Sequence, residues 1–211
     1  MKKLGVFIII LSVVFMSCNR KTTLKGRVMN PITGEGIAGA TISASKTTME
    51  LPGGYKTVEQ TTSDANGDFI LEFKKSASNI GVSTGDYYNI GWYQNGEIQP
   101  GYYLPVQKGK NMKADFYAVP YGKLNLDIKN INCEGITDIM WLRKKWQYDE
   151  GNGAWPQLSR EGCYQNLTGA STVPVGEYIY QIKVQRASGD TIMEFPGIVY
   201  ENQLTTFEIY Y

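Results

Sequence analysis

From Leu24 to Tyr211 the chain alternates apolar and polar residues, and no long stretch carries the apolar spacing of a helix face. A period of two sends successive side chains to opposite faces of a strand. Such a chain buries an apolar surface only by laying one sheet on another. The fold class expected is therefore all-β.

The strands fall into two sets. In the first, "LKGRVMN" alternates Leu24, Gly26 and Val28 against Lys25, Arg27 and Met29, then stops at the turn "PITGEG". "AGATISASK" resumes with Ala40, Ile42 and Ala44 on one face. A loop, "TTMELPGGYKT", leads to "VEQTTSDANGDFILEF", where Phe69, Leu71 and Phe73 share a face. Met112, Ala114 and Phe116 close the set, and Pro120 ends it. A second set opens at "YGKLNLDIKN", with Leu124, Leu126 and Ile128 in register. It continues through "DIMWLRKKWQY", "EYIYQIKVQR", "DTIMEFPGIVY" and "LTTFEIYY", so domains are expected over 24–120 and 121–211.

The pair "LKGRVMNPITGEGIAGATISA" and "TTSDANGDFIL", in that order, resembles the carboxypeptidase regulatory-like domain, a seven-stranded sandwich similar to transthyretin. The resemblance implies a scaffold and carries almost no chemistry. It also implies that the second motif is a hairpin corner, with Asn66-Gly67 supplying positive φ and Phe69 entering the core. In the second set "VPVGEYIYQIKV" looks like an immunoglobulin-like or prealbumin-like sandwich, which puts Tyr178, Tyr180, Ile182 and Val184 in the core. The expectation is two tandem β-sandwich domains.

The opening "MKKLGVFIIILSVVFMSC" has two lysines, an apolar run from Leu4 to Met16 and a small residue before Cys18. The run is too short to span a bilayer with its flanks, and residues 1–17 read as a signal peptide. "FMSC" resembles the lipobox of bacterial lipoproteins, with Phe15 where leucine is commoner. The resemblance implies that Cys18 is acylated and holds the chain to a membrane, with residues 18–23 as tether; each buried acyl methylene contributes about 0.8 kcal/mol. "NRKTT" follows without an aspartate or an acidic cluster, which favours the outer membrane and its periplasmic face over the cell surface.

Loss of residues 1–17 removes two lysines and no acid, so the formal charge passes from +1 to −1. No electrostatic case for nucleic acid remains. Histidine is absent, which excludes Ser-His-Asp and Cys-His hydrolases and His-ligated zinc. No carboxylate pair is pinned for glycoside hydrolysis and no cofactor is implied. Cys133 and Cys163 are left in an oxidising compartment, where pairing is the default and closes a loop that stabilises by about 3–4 kcal/mol; the alternative is two buried free thiols.

Four features could carry function. Asp64, Asn66 and Asp68 surround Gly67 as in a tight turn, with a weak calcium site as the alternative. In "DYYNIGWYQNGEIQPGYYLP", Trp92, Tyr93, Tyr102 and Tyr103 stand beside amides, the equipment of a sugar-stacking face, although rings of this kind also fill sandwich cores. Trp141 and Trp146 lie on opposite strand faces, and Arg143, Lys144 and Lys145 beside them read as a solvated edge. "DTI" at Asp190–Ile192 resembles an O-glycan acceptor of some Gram-negative envelopes. The function expected is a non-enzymatic envelope lipoprotein that binds or assembles through protein contacts, with glycan capture as the alternative.

Overall fold

The structure, a computed structural model, describes residues 20–48, 53–99, 101–149, 151 and 153–211. The expected signal peptide, Cys18 and Asn19 lie outside the described residues. Among the described residues there are strands and turns and no helix, and the chain is all-β. Two compact units divide between Ala118 and Val119, with Asp86–Tyr88 grouped with the second.

The first sandwich holds β1 (Thr22–Met29), β2 (Thr41–Thr48), β3 (Gly54–Thr62), β4 (Asp68–Phe73), β5 (Asn79–Ser83), β6 (Tyr88–Gln94), β7 (Glu97–Ile98), β8 (Leu104–Pro105), β9 (Asn111–Lys113) and β10 (Asp115–Val119). One sheet runs β4-β1-β10-β6-β7, with β9 continuing beside β1, and the other runs β3-β2-β5-β8. The alternating residues of the sequence fill the space between them: Leu24, Val28, Ile42, Ala44, Phe69, Leu71, Phe73, Met112, Ala114 and Phe116 are all buried.

The two sequence motifs of this unit are clamped together. A Cβ on Gly36 would lie 1.9 Å from the carbonyl oxygen of Asn66, and one on Gly67 would lie 2.2 Å from that of Val28. Only glycine fits either position, and Gly67 also has φ +81°. Buried Ser63 donates from Oγ to Ile37 O at 2.7 Å and accepts from Ala40 N at 2.9 Å. Arg27 Nε donates to Asn66 O at 2.7 Å.

Three expectations need correction. Thr22 and Thr23, expected in the tether, are buried in β1, where Thr22 Oγ1 accepts from Gly109 N at 2.8 Å and Thr23 N donates to Lys110 O at 3.0 Å. The second motif is not a hairpin corner: β3 pairs with β2 and β4 with β1, so the chain crosses from one sheet to the other there. Of Asn66 and Gly67 only the glycine has positive φ.

The second sandwich holds β11 (Tyr121–Lys129), β12 (Ile139–Trp146), β13 (Arg160–Glu161), β14 (Gln165–Leu167), β15 (Ser171–Pro174), β16 (Gly176–Arg186), β17 (Gly189–Val199) and β18 (Leu204–Tyr210). One sheet runs β14-β11-β15 with β18 parallel to β11, and the other runs β13-β12-β16-β17. Tyr178, Tyr180, Ile182 and Val184 are buried as their alternation requires. Tyr180 meets Phe207 of the facing sheet edge-on at 5.1 Å, and Tyr178 donates its hydroxyl back to Pro174 O at 2.7 Å.

One margin of this unit is fastened by charge and by a covalent bond. Cys133 and Cys163 form a disulfide. Buried Asp138 accepts at Oδ2 from Asn130 Nδ2 at 3.0 Å, Glu134 N at 3.1 Å and Arg186 Nε at 3.3 Å. Arg186 also donates to Asn130 Oδ1 at 3.0 Å. These donors, Asn130 first, hold the Asp138 carboxyl below the usual carboxylate range.

Candidate functional site

The aromatic segment of the first sandwich separates into a core residue and a surface patch. Trp92 is 0% exposed and sits edge-on to Phe69 at 6.3 Å and Phe116 at 5.2 Å. Its expected place in a ligand face is therefore corrected, because a ring enclosed by two phenylalanines has no surface to offer. Its Nε1 has no hydrogen-bond partner among the described residues. Tyr93 is half-buried and stacks on Tyr117 at 4.8 Å, in the β4-β1-β10-β6-β7 sheet.

Tyr102 and Tyr103, by contrast, are 64% and 49% exposed. One edge of the Tyr103 ring lies against Gly81 of β5, where an added Cβ would stand 3.2 Å from it, and the ring meets Tyr55 at 5.4 Å. Tyr55 is itself exposed and belongs to β3, which begins at Gly54 inside a segment expected to be loop. The pattern gave no sign of Tyr55 because "LPGGYKT" reads as punctuation. The exposed patch is thus Tyr55, Tyr102 and Tyr103, without Trp92.

The Asp64 turn is built from backbone. Asp64 Oδ1 accepts from Asn66 N at 2.8 Å and Asp68 N at 2.9 Å, and Asp64 O accepts from Gly67 N at 3.0 Å. This carboxylate caps the crossing between sheets, the ordinary work of an Asx turn. No group of three metal-ligating side chains forms among the described residues.

Open strand edges are the other surface feature. β17 pairs with β16 along its whole length from Gly189 to Val199, and among the described residues no strand pairs with its other side. Its outer face exposes Ile192 at 61% and Ile198 at 43%, followed by exposed Tyr200. β18, the edge of the facing sheet, runs beside it without pairing, and a groove of about 330 Å³ lined by Glu194, Pro196, Thr206 and Glu208 lies between them. Thr191 is also exposed on this strand.

β12 is covered by β13 only at Ile139 and Met140, leaving the rest of that side without a partner strand among the described residues. Lys144 is exposed there, whereas Arg143 donates from Nε to Gln181 Oε1 at 2.7 Å and lies 4.2 Å over the Trp155 ring. Of the tryptophan pair, Trp146 is buried and donates to Val175 O at 3.1 Å, and Trp141 is half-buried.

No family model matches the sequence, and no curated protein does. Among solved structures the chain is similar to the TIE protein of Bacillus anthracis, at 13% identity and TM-score 0.32, covering 91% of this chain and 34% of that one. It is similar to a DUF3823 family protein from Bacteroides uniformis at 10% identity and TM-score 0.31, covering 85% of this chain and 98% of that one. A Streptococcal ancillary pilin aligns at 11% identity and TM-score 0.31, covering 90% of this chain and 62% of that one. The chain spans about a third of the Bacillus anthracis protein's length. These superpositions are loose, and the sandwich assignment rests on strand pairing alone.

Proposed function

We propose that this chain is a non-enzymatic lipoprotein of a bacterial envelope that engages a protein partner through its strand edges. In this reading Cys18 carries the acyl anchor, and the sandwiches stand on the periplasmic side of the outer membrane. The first sandwich is then carboxypeptidase regulatory-like and the second immunoglobulin-like. The observation that carries the proposal is the outer side of β17. It is eleven residues long, ends its sheet, and exposes Ile192 and Ile198. Along Gly189–Phe195 that edge offers unpaired backbone groups to a partner's extended segment, short of Pro196, which has no N–H, and of Ile198 O, which accepts from Thr205 Oγ1 at 3.4 Å; its apolar side chains supply affinity.

A photo-crosslinking residue at Ile192, in cells that make the protein, tests this. One stoichiometric protein adduct is expected from position 192 and none from Ile136, an 89% exposed control. Equal labelling from both positions counts against the edge. Loss of a metabolic palmitate label in Cys18→Ser tests the anchor.

A second reading, glycan capture, is favoured by one observation: Tyr55, Tyr102 and Tyr103 are all exposed, with the Tyr103 ring against Gly81 and 5.4 Å from that of Tyr55. Tyr103→Ala would then abolish retention on a polysaccharide column without altering crosslinking from position 192.

A further inference from the structure

The second sandwich is incompletely filled. Its rings, Trp146, Tyr178, Tyr180 and Phe207, are buried, and away from them β11 and β12 contribute aliphatic side chains to an unfilled space. Leu126 and Ile128 on β11 and Met140 and Leu142 on β12 line a cavity of about 280 Å³. Leu126 and Leu142 are inward-facing by register and yet only half-buried, because the strands that would close the gap are short. β13 has two residues and β14 three.

The polar side of the cavity holds one charge. Arg160 lines it together with Tyr164 and Asn166, and no other residue of the lining is charged at neutral pH. Its Nη1 donates to Ser159 O at 3.1 Å, and its guanidinium stands 5.7 Å from the Tyr164 ring. Among the described residues it takes part in no ion pair. An unneutralised, half-buried guanidinium at the rim of an aliphatic cavity is complementary to an anion with an apolar body.

We propose that this cavity binds a small monocarboxylate with an apolar tail, its carboxylate on the Arg160 fork and its tail against Leu126, Ile128, Met140 and Leu142. The volume has room for about nine groups the size of a water molecule, which matches a straight-chain acid of about eight carbons. Sugars fit poorly, because aliphatic walls leave their hydroxyls unpaired. A guanidinium rather than an ammonium suits the planar, two-oxygen head. The inference is independent of the strand-edge proposal and concerns a different surface.

Titration calorimetry on the full chain with octanoate tests it, with octan-1-ol and octylamine as comparators. Saturable one-site binding of octanoate is expected, with octylamine silent over the same range. Arg160→Gln should weaken octanoate at least about tenfold, the scale of losing a charged hydrogen-bond pair, and leave octan-1-ol unchanged. Leu142→Trp, which fills the cavity, should abolish both; exposed Leu158→Asp at the mouth gives the same answer without touching the core. The proposal is overturned if octanoate fails to saturate, if octylamine binds as well, if Arg160→Gln binds normally, or if neither Leu142→Trp nor Leu158→Asp reduces binding.

Discussion

The first sandwich is closed by backbone meeting backbone, and the second by side chains and a covalent bond. In the first, Gly36 and Gly67 let the crossing between sheets come within contact of its own chain, and Ser63 and Asp64 pair the backbone groups there. In the second, the Cys133–Cys163 bridge and the Asp138–Arg186 pair hold the margin where β11 leads into β12. A fastening of the first kind is indifferent to redox state but tolerates no added methyl. The second kind has the opposite sensitivities.

The sharpest way to break this contrast is Gly67→Ala. The new Cβ meets Val28 O and the backbone keeps a left-handed φ, so a loss of about 3–5 kcal/mol is expected. Hydrogen exchange followed by peptide should show β1 and β4 deprotected while β12 and β16 keep their protection. Next in size, replacing both Cys133 and Cys163 with serine frees a loop whose ends are 30 residues apart, which costs about 3–4 kcal/mol on the chain-entropy account. Urea unfolding should show this loss in the tryptophan signal of Trp141, Trp146 and Trp155, with the Trp92→Phe background removing the first sandwich from view.

A smaller effect separates the units at high pH. Burial pushes Tyr180 and Tyr211 up to about 12 from an ordinary 10, and Tyr178 higher still. A raised folded value means stability that is whole below pH 10 and lost as the pH climbs toward 12. Phenolate absorbance of these rings should therefore appear together with unfolding of the second sandwich rather than before it. The smallest expected effect is at the acid end. Asp138 is held below its ordinary 3.8, so its contribution is present above that value and fades as the pH falls toward the folded one. Asp138→Asn should flatten the acid limb of the second sandwich's stability curve; an unchanged limb would remove Asp138 from the account.

Faces were legible in the sequence and partners were not. Period-two alternation placed Leu24, Val28, Phe69, Tyr178 and Ile182 correctly, because which side a residue takes is a local property. Whether β3 pairs with β4 is not local. A glycine turn between two strands reads as a hairpin, and only the long-range pairing with β2 and β1 makes it a crossing. The parallel pairing of β18 with β11 is hidden for the same reason. The aromatic segment shows the limit within a single strand: Trp92 and Tyr93 are neighbours with opposite environments, and composition cannot say which ring is enclosed. Tyr55 and Arg160 sit in segments that look like connections, so no periodic signal pointed to them.

The contact between Gly36 and the turn at Gly67 reaches beyond stability. Neither position can acquire a side chain while the crossing keeps its path, and a shift in one stretch must be answered in the other. Two stretches far apart in the chain therefore behave, under mutation and selection, as a single heritable unit: a duplication or recombination that separates them would leave each without the surface it was shaped against.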